Sequence, residues 1–517
     1  MKADVVVVGG GGSGLAAAVA AATVGARVVL LEKNDNLGGT TARSIGSITA
    51  TQTRYQAREG ISDSPAEHYR DMELFTKNIP RPDNDVLRRV LTENVPETVR
   101  WLGSMGVEFL GPLEEPPHQK RRMHAVLPNS RAYIFHLERE ARRGGVEIIT
   151  NARAKRLLHT DGRVTAVEFE QPGKQVQTVH ARATVLAAGD YAGGFEMKGA
   201  LISDAVARTE AVNPTNTGDG LQMAIEVGAR IINGDLFGGG ARFVPPPQPS
   251  WISRIPPSAG LMRLVSFALR HSPTSVVRRF VMGFLTTVMV PSQELFEAGA
   301  ILINRRGQRY ADETRGMSFD LAYQPDGIAY IVFDGALAEK FSRWPHYIST
   351  APGIAYAYVE DYEKNRPDLV RKATTLAGLA RLIGADPEKL ERTVVEYNPP
   401  EAAGADRPDP FERKHRVRLA TGPFYALGPV KNYINYTDGG LAVNERHEVL
   451  DADDRPIPGL FAAGSNGQGG LLLKGHGHHL GWAFTSGRLA GRNAASASTE
   501  PASLQSCIGT GCRQRAH

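Results

Sequence analysis

The chain opens on an unbroken apolar run, ADVVVVG (Ala3 to Gly9), then a glycine turn, an alanine-rich stretch and a second apolar run, ARVVLLEK. A run without alternation is a strand buried on both faces of a parallel sheet. The predicted order is therefore strand, turn, a helix through LAAAVAAATVG ending near Gly25, and strand. Helical stretches follow between Pro65 and Arg143, VLRRVLTENVPETVRWLGSMG among them. VEIITNARAKRLLHTDGRVTAVEFEQ reads as a strand and then a hairpin turning at Asp161-Gly162, and ARATVLAAG returns to the sheet. Proline-rich VPPPQPSW (Val244 to Trp251) marks a boundary. From there to about Pro423, ILINRRGQRYADE and the helical ATTLAGLARLIG belong to a separate α+β unit. PGLFAAG near residue 460 is sheet again, and AFTSGRLAGRNAA is a last helix. The predicted fold is α/β: a Rossmann-like parallel-sheet domain assembled from residues 1–240 and 425–495. An α+β capping domain, 241–424, is inserted in it, and a small, polar, disordered tail occupies 496–517.

Composition narrows the class. A chain of 517 residues exceeds one simple core, and 42% hydrophobic with 22% charged residues is ordinary for a soluble enzyme. A net charge of +5 is a mild excess that predicts no nucleic-acid partner. Cys507 and Cys512, both in the tail, form no disulfide framework, zinc spacing or haem attachment, so no metal is expected. The N-terminus enters a strand directly without a signal peptide, which predicts a cytoplasmic protein. Residues 260–296 qualify that. They are apolar, carry Arg263, Arg270, Arg278 and Arg279, break at Pro273, and never reach the ~18 uninterrupted apolar residues of a spanning helix. They read as two basic amphipathic helices that form a lid, a dimer contact or a peripheral membrane contact.

The turn itself carries chemistry. In Gly9-x-Gly11-x-x-Gly14 the first glycine bends the chain, the second lets backbone touch a pyrophosphate, and the third lets helix and strand pack closely. Gly12 and Ser13 begin the helix, whose N-terminal N–H groups and dipole attract phosphate. Glu32 ends the second strand where an acid bonds adenosine ribose hydroxyls, and Lys33 follows it. Gly38-Gly39-Thr40-Thr41-Ala42-Arg43-Ser44 comes next, with amides and hydroxyls spaced for a second approach to the pyrophosphate and for a flavin. These features predict non-covalent FAD rather than NAD.

LEKNDNLGGTTARS resembles the FAD-binding segment of the fumarate reductase/succinate dehydrogenase flavoprotein superfamily, which includes the 3-ketosteroid dehydrogenases. The resemblance continues through VLAAGDYAG, NTGDGLQMA, GQRYADET, GPFYA, DGGLAVNERHEVLDADDRPIPGLFAAG and GRLAG. It implies an FAD domain, a mobile capping domain and a substrate held between them. It also adds Ala188, Gly189, Asp219, Gly464 and Leu480 to the expected cofactor residues.

A flavin exchanges hydride at one face, so the protein must supply a proton donor or acceptor and must polarise a carbonyl. Fumarate reductases clamp two carboxylates with arginines and a histidine that precedes a T-x-G-G turn. Here that turn, Thr437-Asp438-Gly439-Gly440, follows Asn435 and Tyr436. Their proton-donor arginine falls near Arg315 to Ser318, with Met317 in register, and their late arginine at Lys474. These departures argue against fumarate. GHGHHLGWAFTSG is similar to ketosteroid dehydrogenases, in which a backbone N–H and a tyrosine polarise the ketone. Gly477 takes the glycine position, and Leu473 stands at the tyrosine.

Lys474, His476, His478 and His479 cluster there, and imidazole titrates near neutrality. Tyr436 and Tyr425 are phenol candidates. Arg315 is either a cation reaching in from the capping domain or half of a surface pair with Glu313 or Asp312. The expectation is α,β-desaturation of a cyclic ketone or keto acid, a small-molecule carbonyl substrate. Tyr436, Gly477, Lys474, His476, His478 and Arg315 are the catalytic candidates, and electrons pass to or from a separate carrier. One alternative is reduction of an unsaturated carboxylate clamped by Lys474 and Arg315. The other is a membrane-surface electron-transfer subunit docking through residues 260–296.

Overall fold

A computed structural model describes residues 1–244, 255–273, 282, 286, 291–316, 318–351, 355–400 and 407–499. The proline-rich boundary past Val244, most of the second predicted basic helix, Met317 and residues 500–517 lie outside the described residues, while residues 496–499, expected in the disordered tail, continue the last helix.

The first unit contains β1 (Val5–Val8), α1 (Gly12–Thr23), β2 (Val28–Leu31), α2 (Pro65–Thr76) and α3 (Asp85–Ser104). β3 (Glu147–Ile149), β4 (Arg153–Thr160), β5 (Arg163–Glu170) and β6 (Ala183–Leu186) follow. The inserted segment holds β7 (Phe237–Phe243), α4 (Ala259–His271), which packs on the first unit at Phe109, β8 (Ile301–Asn304), β9 (Ala329–Phe333), β10 (Val370–Ala373), α5 (Leu376–Ile383) and β11 (Phe424–Thr437). The chain then returns to the first unit with β12 (Glu448–Leu450), β13 (Pro456–Ala462) and α6 (His478–Thr499).

The first sheet runs β12-β13-β6-β1-β2-β3, parallel except between β12 and β13. Every residue of β1, β2 and β6 is buried, as continuous apolar strands between helical layers must be. The predicted hairpin forms between β4 and β5, and its two turn residues both have positive φ, +50° at Asp161 and +76° at Gly162. Small residues bring the two chain ends together. A Cβ at Gly487 would lie 2.3 Å from Ser13 O and one at Gly491 2.2 Å from Ala17 O, so α6 packs against α1 with backbones nearly touching.

The second sheet, β7-β11-β9-β8 with β10 also on β11, is antiparallel throughout. Its composition moves the expected domain limits. The expected limit at 424/425 falls at the start of β11, and β11 pairs with β7, β9 and β10 of the inserted sheet. β11 continues across Gly428-Pro429 with an irregular register opposite β9. Among the described residues no helix is long and apolar enough to cross a membrane. α4 buries Met262 and Ser266 and leaves Leu261, Arg263, Leu264 and Phe267 exposed, so its outer face mixes apolar and basic side chains.

Candidate active site

A cavity of about 740 Å³ runs from the first glycine turn to the inserted sheet. At one end lie Gly9, Gly11, Gly12, Ser13, Glu32, Lys33, Gly39, Thr40, Thr41, Ser44, Ala188, Gly189, Asp219, Gly464 and Leu480. Of the expected cofactor residues only Gly14 and Gly38 do not line it. Gly14 serves packing instead: a Cβ there would be 1.8 Å from Gly9 O. Gly38, at φ +129°, shapes the second turn, and its N–H donates to Gly10 O.

The cavity fits FAD on the chain's own geometry. A Cβ at Gly11 would meet nothing within 4 Å, so the turn faces open space. α1 has no side-chain cap, which leaves N–H groups at its start for phosphate. Glu32 is buried, accepting from Gly10 N–H at 2.7 Å and from Asn34 N–H and Nδ2 at 2.8 and 2.7 Å. Its carboxylate is thereby oriented toward the nucleotide end with lone pairs to spare. Lys33 and Asp219 pair with each other at 2.9 Å, and Arg153 also holds Asp219. The two expected contacts are thus one ion-paired wall.

At the other end stand Arg242, Ser292, Tyr347, Ser349, Thr350, Asn435, Tyr436, Gly475, His476, Gly477 and His479. Three catalytic candidates, Tyr436, His476 and Gly477, face this space. His476 Nδ1 lies 2.8 Å from Glu115 Oε1, and its backbone N–H donates to the same oxygen. That hydrogen bond outweighs burial and raises the imidazole pKa above 6.5. Gly477 has φ +89°, and a Cβ there would be 2.6 Å from Thr49 N, so the position admits only glycine. Its N–H meets no acceptor among the described residues and points from the N-cap of α6.

Lys474 is placed differently from the expectation. Its Nζ donates to the fully buried Asp438 at 2.7 Å and stands 5.3 Å from the Tyr436 ring centre. Burial alone would raise the Asp438 pKa, but His479 and Lys474 outweigh it and hold it at about 2. His479 Nε2 is 3.4 Å from Asp438 Oδ1, and its ring packs on Tyr436. Burial, reinforced by Asp438, raises the Tyr436 phenol pKa and keeps it protonated. Removing the cation should therefore be costly. Lys474→Met leaves a buried carboxylate without its partner, and equilibrium unfolding in urea should show a loss of about 3–5 kcal/mol. The stabilisation is full at neutral pH and disappears as pH falls through about 2. An unchanged unfolding midpoint would show that the pair is not holding this corner.

Three candidates lie elsewhere. His478 is buried and turned away from the cavity, its Nδ1 bonded to Lys474 O. Arg315 is exposed and pairs with Asp312 and Glu412, each at 3.2 Å, so long-range packing does not bring it to the cavity. Tyr425 stacks on Phe333 in the core of the inserted segment.

The sequence reading passed over Arg242 and Glu115. Arg242 Nη2 donates to Asn435 Oδ1 at 2.9 Å, and no carboxylate pairs with it among the described residues. Burial lowers its pKa from the usual arginine value. The signal was the run Gly238-Gly239-Gly240 just before it: a Cβ at Gly238 would be 2.3 Å from the Tyr436 ring, so the glycines leave room for that side chain. Glu115, which no sequence motif singles out from Glu114, is 5% exposed.

A family model described as an FAD binding domain matches residues 4–471. A probable fumarate reductase of Shewanella frigidimarina is 28% identical over 487 residues, covering 91% of this chain and 71% of its own. A vinyl phenol reductase of Lactiplantibacillus plantarum is 28% identical over 509 residues, covering 91% and 92%. Among solved structures, the open conformation of a flavocytochrome c3 fumarate reductase superposes with a TM-score of 0.71 at 25% identity, covering 96% of this chain and 79% of that one. A 3-ketosteroid Δ4-(5α)-dehydrogenase of Rhodococcus jostii shares the fold at 24% identity with a TM-score of 0.58, covering 96% and 97%.

Proposed function

Because this chain belongs to the FAD binding domain family of flavoprotein oxidoreductases, we propose that it forms or saturates the carbon–carbon bond α,β to a carbonyl, in a cyclic ketone or keto acid. The observation that carries this is the convergence of a free backbone donor, Gly477 N–H, with the His476–Glu115 pair on one cavity wall. FAD supplies the hydride acceptor or donor when bound.

Gly477 N–H polarises the substrate carbonyl from a fixed position, and the first turn of α6 adds its positive end. Protonated Tyr436 donates toward the same oxygen. His476 takes the α-proton during desaturation or delivers one during saturation, with Glu115 balancing the imidazolium charge. Arg242, oriented by Asn435, receives an anionic or strongly polar end of the substrate. The two relatives above are both named reductases, which favours saturation as a working direction for this chain as well.

The clamp of Lys474 and Arg315 on an unsaturated carboxylate has less support. Lys474 is committed to Asp438, and Arg315 is out in solvent with its own carboxylates. Arg242 stands in their place as the anion-seeking group, and the prediction that follows is specific. Arg242→Gln should raise KM about 10–100-fold while kcat changes little, the effect of losing a charged hydrogen bond of about 1.5–3 kcal/mol. An unaltered KM for keto acids would remove Arg242 from the substrate site.

The reading is tested by mixing oxidised enzyme anaerobically with saturated cyclic ketones and keto acids, and dithionite-reduced enzyme with their unsaturated counterparts. Bleaching of the flavin in the first set or reoxidation in the second is expected. Reoxidation by unsaturated dicarboxylates alone, with no response to any ketone or keto acid, would overturn it.

A further inference from the structure

Behind the loop that carries His476 and Gly477 lies a second group of imidazoles. His68 comes from α2, His118 from the loop that also holds Glu115, and His478 from the first turn of α6. One ring nitrogen from each lies within 4.8 Å of the other two. His68 Nε2 and His478 Nε2 are 3.2 Å apart. Two nitrogens on one tetrahedral zinc-class ion, with bonds of about 2.0–2.1 Å, stand roughly 3.3 Å apart. His68 and His478 are buried, and the His118 side chain has no exposed surface.

Hydrogen bonding selects the atoms that face one another. His478 Nδ1–H donates to Lys474 O, which leaves the Nε2 lone pair directed at His68. A backbone carbonyl on the outer nitrogen is how ligating histidines are commonly oriented. His118 Nε2 is buried with no hydrogen-bond partner among the described residues. Burial also keeps all three imidazoles neutral, with their lone pairs available.

The surroundings tolerate a cation. Arg122 is bonded to both Asp63 and Asp71, so two carboxylates face one guanidinium. Arg122 Nη1 lies 3.1 Å from His118 Nδ1, and Asp71 Oδ2 stands 3.8 Å from the same nitrogen. A ligand bond at His118 Nε2 puts the proton on Nδ1, which requires Arg122 Nη1 to give up its 3.1 Å contact with that nitrogen and Asp71 Oδ2 to close in from 3.8 Å as acceptor, Arg122 keeping Asp63.

We propose that His68, His118 and His478 bind one first-row transition-metal dication of the zinc class, with water in the fourth position. The site lies on the side of the 474–477 loop away from the cavity. An ion there ties α2 to the first turn of α6 and braces the segment that presents His476 and Gly477. It stands independently of the reaction proposed above.

The experiment uses full-length, FAD-loaded protein treated with chelator, titrated with zinc chloride by calorimetry and with cobalt chloride by absorption. One saturable equivalent of zinc is expected, with a Tm several degrees higher. Cobalt is expected to give tetrahedral-type bands at wavelengths beyond the flavin absorption. His68→Gln with His118→Gln should abolish both responses while flavin content stays full. The proposal is overturned by wild-type protein that takes up no zinc, by bound cobalt with only the faint spectrum of a hydrated surface ion, or by undiminished affinity in the double variant. The first two outcomes need no variant, so a double variant that fails to fold still leaves the question decided.

Discussion

Gly11→Val is expected to yield a folded, colourless protein. Gly11 has φ −76° and ψ −173°, an extended conformation that valine adopts readily. A Cβ there meets no protein atom within 4 Å, so the fold has no reason to resist the side chain. What resists is the dinucleotide, whose pyrophosphate must approach this backbone to reach the N–H groups at the start of α1. Flavin content should fall below about a tenth of wild type, each tenfold in affinity costing about 1.4 kcal/mol. Gly14→Val makes the control. Its Cβ would sit 1.8 Å from Gly9 O, so that variant should lose the β1–α1 packing and precipitate. Absorbance near the flavin maximum, read beside circular dichroism, separates the two. A Gly11→Val protein that purifies yellow at full flavin content refutes the cofactor placement.

His476→Gln should carry the largest loss of chemistry. If its imidazole moves the α-proton, single-turnover flavin reduction or reoxidation should slow by about 10²–10⁴-fold, the usual worth of a positioned acid–base group. FAD content should remain full, since His476 lines the cavity outside the glycine turns expected to hold the dinucleotide. Glu115→Gln keeps the imidazole but removes the charge that raises its pKa, so an intermediate loss is expected. If His476→Gln retained the wild-type rate of flavin turnover, proton transfer would have to be reassigned, with Tyr436 next in line. Gly477 is a poor target for the same test. At φ +89° and hard against Thr49 N, a proline there would break the loop as well as remove the donor.

How much of this was legible in sequence differs between the two ends of the cavity. The cofactor end is local: Gly9, Gly11, Gly14 and Glu32 lie within one strand–turn–helix–strand unit, so their spacing alone dictates their arrangement. The substrate end is assembled from far-apart segments. Arg242 meets Asn435, 193 residues away, only because β7 and β11 pair. Glu115 meets His476, 361 residues away, only because α6 returns to the first unit. Nothing in a local pattern distinguishes Glu115 from Glu114, since burial by a distant loop is not written in its neighbours.

Lys474, His478 and Arg315 illustrate the opposite failure. Residue type and family register made each a plausible catalytic group, but a side chain can serve only where its partners leave it free. Buried Asp438 claims Lys474, the Lys474 carbonyl turns His478 outward from the cavity, and Asp312 with Glu412 keeps Arg315 in solvent. The sequence by itself determined the FAD cradle and the two-unit α/β architecture, because short-range spacing and hydrophobic period encode them directly, while the oxidoreductase class came through the family resemblance. Only the tertiary structure decided which cation and which histidine line the cavity and which acid bonds that histidine, because those outcomes depend on electrostatic pairing between segments that meet only after folding.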